Sequence, residues 1–197
     1  MPKGYHRAHR SKLAPAMPLL TVGHGTLSQP DLAALLGRAS VGLVVDVRTS
    51  PASRRHPHVN RSRLAEWLPA TGIAYRWAPD LGGWRTPRRD SPNVALHDDA
   101  FRGYADHMAD PAFWAALDDL LEGATAGRTA ALCSERDWTR CHRSLLSDAA
   151  VMARAAEVLH LGHDGRLTPH RVTPGTRLAG PDLIRYDIGH TQGMPGL

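Results

Sequence analysis

The residues of this sequence best suited to chemistry lie around its two cysteines. Cys133 ends the apolar run 129–133 and is followed by Glu135, and Cys141 is followed directly by His142 and Arg143. A cysteine, a histidine and a carboxylate are side chains that serve as nucleophile and as general acid or base. The stretch therefore predicts a reactive site, without naming a reaction.

The secondary structure predicted around these residues would create an anion site. A short continuous apolar run such as 129–133 is typical of a parallel strand that is covered on both faces, which puts Cys133 at its carboxyl end. Apolar residues then recur at helical spacing, so we expect a helix that is capped by Thr139 and opens with Cys141, His142 and Arg143. Free N–H groups and the helix dipole at that start would attract an anion and lower the pKa of either cysteine.

Two other predicted strands end in polar residues. The strand 19–22 leads to His24, the strand 42–47 contains Asp46 and delivers Arg48, and the basic loop after it contains Arg54. Ligands of open α/β sheets bind outside the carboxyl ends of the strands, so we expect one shared site there. The candidate catalytic residues are Cys133, Glu135, Asp46 and His24, and the candidate anion-binding residues are Arg48, Arg54, Cys141, His142 and Arg143.

Two tryptophans lie in segments rich in glycine, proline and arginine. Trp84 belongs to the long segment 79–96, and Trp138 follows the strand of Cys133. Exposed indoles beside arginines suit stacking on a base or a sugar, although either ring could instead anchor its loop to the core. Loops as long as 79–96 commonly are lids or binding loops.

The alternation of strands and helices predicts the fold class. We expect an α/β protein with a Rossmann-like three-layer fold, in which a mainly parallel central sheet of about five strands has helices on both faces. Residues 1–17 read as a basic flexible tail, residues 18–174 as a single α/β domain, and residues 175–197 as an irregular C-terminal extension.

Composition limits the partners and the compartment. Lys and Arg outnumber Asp and Glu by 24 to 19 over 197 residues, which indicates an anionic small molecule or a nucleic acid as partner. No stretch is apolar and long enough to span a bilayer, so we expect no membrane partner and a cytoplasmic protein. Only two cysteines occur, which favours reduced thiols and still allows a reversible disulfide between them.

Several short segments together carry a resemblance to a known family. They are Val22-Gly23-His24-Gly25-Thr26, Val44-Val45-Asp46-Val47-Arg48 with Pro51, Ser53 and Arg54, Leu81-Gly82-Gly83, Leu132-Cys133-Ser134-Glu135 with Cys141-His142-Arg143-Ser144, Asp164-Gly165, and Pro169-His170. Over about residues 19–173 the chain resembles the family called domain of unknown function 488. The resemblance implies a Rossmann-like α/β fold and no settled activity. The chain departs from the family at Gly25, where a serine is more usual.

The order of elements around Cys133 also looks like an enlarged rhodanese arrangement, in which a cysteine after a strand carries sulfur. The elements are the strand, the cysteine, a loop, an arginine and a helix. The tight anion loop of rhodaneses and tyrosine phosphatases places its arginine five or six residues after the cysteine. Here Arg140 lies seven and Arg143 ten residues after Cys133. Sulfur or phosphoryl transfer through such a loop therefore remains an analogy.

Three functions from different classes follow from these observations. The first is an enzyme, a cysteine- or carboxylate-dependent hydrolase or transferase whose anionic substrate is phosphorylated, nucleotide-like or a nucleic acid. The second is a metal or redox site built from Cys133, Cys141 and His142, although their spacing lacks the tight pair of a common structural zinc site, so we expect no structural zinc. The third is a non-catalytic nucleic-acid-binding module that uses the basic tail and the arginine loops.

Overall fold

A computed structural model describes residues 17–189. The strands are β1 (Leu19–Gly23), β2 (Leu43–Asp46), β3 (Ala74–Trp77), β4 (Thr129–Cys133), β5 (Val158–Leu161), β6 (Leu167–Pro169), β7 (Thr176–Gly180) and β8 (Leu183–Tyr186). The helices are α1 (Gln29–Arg38), α2 (Arg61–Ala70), α3 (Asp99–His107), α4 (Pro111–Ala126) and α5 (Arg143–Arg154). The predicted basic tail, apart from Met17, lies outside the described residues.

The central sheet has six strands in the order β3-β2-β4-β1-β5-β6. Its first five strands are parallel, and only the short edge strand β6 runs antiparallel to its neighbour. Strands β1 and β4 are buried along their whole length, as the continuous apolar runs predict. The sheet therefore confirms the predicted α/β class, with one antiparallel edge strand more than expected.

Two apolar cores cover the two faces of the sheet. One contains Leu32, Leu35 and Leu36 of α1 with Leu64 and Leu68 of α2. The other collects the buried residues of α3, α4 and α5, among them Tyr104, Phe113, Leu117, Leu145 and Leu146. Helices thus pack on both faces, and the three-layer arrangement is confirmed.

Local sequence explains where most helices begin. The Ser28 hydroxyl accepts a hydrogen bond from the N–H of Asp31 at the start of α1, and Asp98 and Asp110 cap α3 and α4 in the same way. α5 differs from the expectation. Asp137, not Thr139, caps a 3₁₀ turn over Trp138–Arg140, and α5 itself begins only at Arg143.

The C-terminal segment is more ordered than an irregular extension. Strands β7 and β8 pair as an antiparallel hairpin, and Ile184 and Tyr186 alternate into the core while Arg185 between them is only half-buried. That alternation with period two was present in the sequence, but the strand is four residues long and pairs only with β7. Over Thr176–Tyr186 the expectation of an irregular segment is therefore corrected; residues 190–197 lie outside the described part.

Candidate functional site

The strand ends that were expected to be adjacent lie side by side at one edge of the sheet. β4 lies between β1 and β2, with Gly23 opposite Cys133 and Asp46 opposite Leu132. His24 and Arg48, which follow β1 and β2, consequently flank Cys133 from either side. The sheet topology thus gathers the polar residues of three strands around one sulfur.

Cys133, Cys141 and His142 form a close cluster at this edge. The Nδ1 atom of His142 lies 3.9 Å from Sγ of Cys133 and 3.8 Å from Sγ of Cys141. Their potential ligand atoms all lie within 4.8 Å of one another. The cluster is the right size for a shared proton, for a disulfide between the two thiols, or for a thiophilic metal ion.

A hydrogen bond on the side of the ring opposite the sulfurs fixes the orientation of His142. Its Nε2 lies 3.0 Å from the carbonyl oxygen of Val47, which can only accept a hydrogen bond, so Nε2 carries the proton. Tyr104 packs against the ring with a centroid distance of 4.9 Å, and Gly83 lies directly beside Nδ1. The lone pair of Nδ1 is therefore directed at the two sulfurs, the arrangement that a general base needs.

The two thiols have different acidities. The pKa of Cys133 lies well below its ordinary value because Cys141 donates its S–H to the sulfur, with further help from the charges of His142 and Arg143, although burial opposes the shift. The pKa of Cys141 is raised, because its proton bonds Cys133 and because it is buried. The geometry thus makes Cys133 the thiolate and Cys141 the thiol of the pair.

Asp46 and Arg48 form a buried ion pair. Nε and Nη2 of Arg48 lie 2.8 and 2.6 Å from the two carboxylate oxygens, and the guanidinium also donates to the carbonyl of Val59. The hydroxyl of Tyr75 donates to Asp46 as well. Because every direction around the Asp46 carboxylate is taken, this residue positions Arg48 and has no free oxygen with which to act as acid or base.

His24 takes the remaining side of Arg48. Its Nδ1 lies 2.9 Å from the carbonyl of Gly25 and must donate, so Nε2 accepts from Nη1 of Arg48 at 3.3 Å. Burial and the Arg48 charge lower the pKa of His24 to about 4. His24 is consequently neutral at pH 7, and its only lone pair is engaged by a cation.

A cavity of about 440 Å³, here called the first chamber, opens above Cys133. His24, Arg48, Ser134 and His142 line it near the sheet, and the loop after β2 contributes Thr49, Ser50, Ser53 and His56. None of the described residues that line this chamber is an aspartate or a glutamate. The chamber therefore presents mainly hydroxyls, imidazoles and one guanidinium, which suits a ligand with several acceptor oxygens.

A second cavity, of about 390 Å³, adjoins the first and shares Cys133, Ser134, His142, Gly83 and Trp84 with it. Glu135, Asp98 and Arg140 line only this second chamber. Glu135 is exposed and directly follows Ser134, which lines both chambers. Cys133 lines both chambers, but Glu135 lines a different chamber from Arg48 and His24, and the buried Asp46 lines neither.

Two of the predicted anion-binding arginines lie elsewhere. Arg143 is 1% exposed, and it donates to the carbonyl of Glu135 and, through Nε at 3.3 Å, to Sγ of Cys141. Arg54 is exposed and does not line either chamber. Arg143 is thus a buried support of the loop that carries the site, which corrects its expected role in the first chamber.

A second polar cluster escaped the sequence analysis. The hydroxyl of Thr21 lies 2.6 Å from Nδ1 of His160, Nε2 of His160 lies 3.1 Å from Nδ1 of His170, and Nε2 of His170 lies 2.8 Å from Asp148. Tyr186 donates to the other Asp148 oxygen at 3.0 Å. Because the Asp148 carboxylate only accepts, Nε2 of His170 donates to it. This buried chain ties β1, β5, α5 and the C-terminal hairpin together.

Trp138 belongs to that cluster and is not a free indole. Its ring stacks on His160 at a centroid distance of 3.8 Å and an interplanar angle of 7°. Trp84 is the opposite case, since its side chain is 92% exposed at the rim of both chambers. Of the two tryptophans that were weighed as stacking surfaces, Trp84 is fully exposed, whereas Trp138 is half-buried and already stacked on His160.

No helix among residues 17–189 is both long and apolar enough to cross a membrane.

Comparison with known proteins gives one result. The model of the family described as "Domain of unknown function DUF488" matches residues 30–150, which include Asp46, Arg48, Cys133 and the start of α5. No curated protein and no solved structure matches the chain. The matched region contains the segments of the resemblance from Val44 to Ser144, whereas residues 22–26, 164–165 and 169–170 lie outside it. Because the match covers more than half of the sequence, the chain belongs to the DUF488 family.

Proposed function

We propose that this protein is an enzyme, a cysteine-dependent hydrolase or transferase acting on a phosphorylated or nucleotide-like anionic substrate. One observation carries the proposal. The Cys133 sulfur opens into a chamber free of carboxylates among its described lining residues, and the lone pair of His142 Nδ1 is directed at it from 3.9 Å. A nucleophile with an adjacent, oriented base is the arrangement of covalent catalysis.

The proposed reaction starts from Cys133 as the thiolate, after its proton has moved to Nδ1 of His142. The thiolate then forms a bond to the electrophilic atom of the substrate, and the bond from that atom to the leaving group breaks. The leaving group departs with the proton held by His142. In a second step His142 takes a proton from water or from an acceptor hydroxyl, and the oxygen of that molecule bonds the electrophilic atom. The bond from that atom to sulfur breaks, which restores the Cys133 thiolate beside protonated His142.

The first chamber would hold the anionic group. Thr49, Ser50, Ser53 and Ser134 offer hydroxyls around it, and Arg48 offers the one guanidinium of its described lining. Since Asp46 compensates part of the Arg48 charge, hydrogen bonds contribute as much as net charge to this proposed binding. In this account Asp46 and His24 are positioning residues that keep the guanidinium in place.

The test combines two measurements, the turnover of a substrate and the protection of the Cys133 sulfur from alkylation. We expect hydrolysis of at least one compound in a panel of phosphate esters and nucleotides, and its loss in Cys133→Ser. The same compound should slow the alkylation of Cys133 by iodoacetamide, located by peptide mass spectrometry. Arg54→Ala, outside both chambers, is the matched control and should behave as the unmodified protein. Alkylation of Cys133 that no member of the panel slows would contradict the proposal.

A second candidate function is favoured by the cluster itself. Two sulfurs and one imidazole whose ligand atoms lie within 4.8 Å could bind a thiophilic metal ion, with the open side toward the chambers, or form a redox-active disulfide. Elemental analysis of the purified protein and thiol titration before and after chelation separate these cases. One equivalent of zinc or copper, released together with two titratable thiols, would favour the metal site over the nucleophile.

A further inference from the structure

Trp84 is exposed in a way that folding alone does not explain. Its side chain is 92% exposed, while the next most exposed large apolar residue among residues 17–189, Ile188, is 55% exposed. Tryptophan is on average highly buried in folded proteins, because its ring carries a large apolar area. An indole held in water therefore forgoes stabilisation that the fold would otherwise gain.

The backbone of Trp84 is also unfavourable. Its φ of 60° lies in the left-handed region, which residues other than glycine and asparagine seldom adopt. Such strain persists only where the surrounding structure enforces it, and it is concentrated at functional sites. A glycine at this position would avoid both the strain and the exposed ring.

The surrounding structure does enforce this conformation. The hydroxyl of Thr49 donates to the carbonyl of Gly83, and Nε of Arg85 donates to the carbonyl of Gly82 at 3.2 Å. A Cβ on Gly82 would lie 2.4 Å from the Thr49 hydroxyl, so the backbone before Trp84 is packed without any free space. The residues on both sides of Trp84 are fixed, and the indole is presented at a defined place.

That place is the rim shared by the two chambers. Trp84 lines both cavities, beside the residues that lie next to the Cys133 sulfur. A ligand with its anionic group among the hydroxyls of the first chamber would have its distal part at this rim. A flat ring at that end would meet the face of an exposed indole on a fixed backbone, so little backbone entropy would be lost on binding.

We propose that Trp84 is a stacking surface for a nucleobase, which makes the ligand a nucleoside monophosphate and not a plain sugar phosphate. This inference rests on the proposed function, since it assumes that the phosphate occupies the first chamber. Stacking of a base on an aromatic side chain accounts for about a five- to hundredfold gain in affinity. Trp84 is thereby a specificity residue with no part in the bond-breaking step.

The experiment is isothermal titration calorimetry with three probes: inorganic phosphate, ribose 5-phosphate and adenosine 5′-monophosphate. In the unmodified protein the nucleotide should bind about five- to hundredfold more tightly than ribose 5-phosphate. Trp84→Ala should remove that difference and leave ribose 5-phosphate binding unchanged, whereas Trp84→Phe should retain part of it. Arg89→Ala, an exposed change in the same loop, should alter neither.

The outcomes separate the two proposals. Equal binding of ribose 5-phosphate and the nucleotide, or a nucleotide affinity that Trp84→Ala leaves unchanged, would overturn the stacking surface and leave the proposed function intact. Absence of binding by all three probes would contradict both. The melting temperature of Trp84→Ala should not fall, because the ring is exposed and alanine keeps the same backbone conformation. A large decrease would show that the indole anchors its loop and would also overturn the inference.

Discussion

The Nδ1 atom of His142 lies 3.9 Å from the sulfur of Cys133, while the opposite nitrogen of the same ring is held by the Val47 carbonyl at 3.0 Å. The two contacts come from different strands, since Cys133 ends β4 and Val47 follows β2. Neighbouring strands thus set both the tautomer of the base and the position of the nucleophile.

Gly83→Ala should disturb the base without touching the sulfur. A Cβ at position 83 would lie 2.7 Å from Nδ1 of His142, so the imidazole would have to move. Displacements of about 1 Å in a reactive pair commonly cost tenfold or more in rate, and we expect the alkylation of Cys133 at pH 7 to slow by at least about tenfold. The rate is measured with iodoacetamide and peptide mass spectrometry.

Gly37→Ala is the matched control. It lies in α1, where a Cβ meets nothing within 4 Å, and alanine favours a helix by up to about 1 kcal/mol over glycine. This variant should be as stable as the unmodified protein or more so, with the alkylation rate unchanged. An equal rate in both glycine variants would show that the position of His142 does not control Cys133.

Arg143→Ala should reduce the stability of the fold, and the affinity of the folded protein for a ligand should not change. Its buried guanidinium satisfies the Glu135 carbonyl and contacts the Cys141 sulfur, and its removal leaves a cavity with an unpaired carbonyl. We expect the free energy of unfolding, measured in urea, to fall by about 2 to 4 kcal/mol.

Arg140→Ala changes an exposed arginine of the same loop and should cost less than about 0.5 kcal/mol. If Arg143→Ala were as stable as this control and instead lost affinity for phosphate, Arg143 would be an anion-binding residue, as its position at a helix start first indicated.

The fold was predictable because its strands carry local signals. The runs that form β1, β2 and β4 are continuous and apolar, and their polar residues begin at the same end, so their adjacency followed from the rules of parallel sheets. The hairpin of β7 and β8 was missed because Ile184 and Tyr186 show their pattern over only four residues.

The site was less predictable, since it depends on contacts distant in sequence. The sequence shows that residue 143 is an arginine and therefore charged. Only the structure shows that its guanidinium donates to the Glu135 carbonyl. In the same way, Gly83 appeared as a loop glycine, whereas its contact with His142 joins residues almost sixty positions apart. Trp84 and Trp138 have similar sequence surroundings, yet Trp84 is exposed and Trp138 is half-buried, for that reason.

The buried histidines predict how stability depends on pH. Burial, together with His170 and Arg143, lowers the pKa of His160 to about 3, so the folded protein keeps it neutral while the unfolded chain takes up a proton below pH 6.5. Stability contributed by this residue is therefore present above pH 6.5 and decreases as the pH falls toward 3. Between pH 7.5 and 5.5 the loss should be about 1 kcal/mol for one such histidine.

His160→Gln checks this dependence, because an amide keeps a donor and an acceptor but does not titrate. Urea unfolding at pH 7.5 and 5.5 should show a smaller decrease for the variant than for the unmodified protein. The carboxylates titrate mainly below this range and contribute little to the difference. Equal decreases in the two proteins would mean that His160 is charged in the folded state.

The most direct measurement of the central claim is the rate of Cys133 alkylation by iodoacetamide as a function of pH, in the unmodified protein and in His142→Gln. Because the thiolate is the reacting form, the rate follows its population. We predict a profile whose apparent pKa lies below the ordinary cysteine value of about 8.5 and moves upward by roughly one unit in His142→Gln. A profile centred at or above 8.5 in the unmodified protein, and unchanged in the variant, would contradict the assignment of Cys133 as an activated nucleophile.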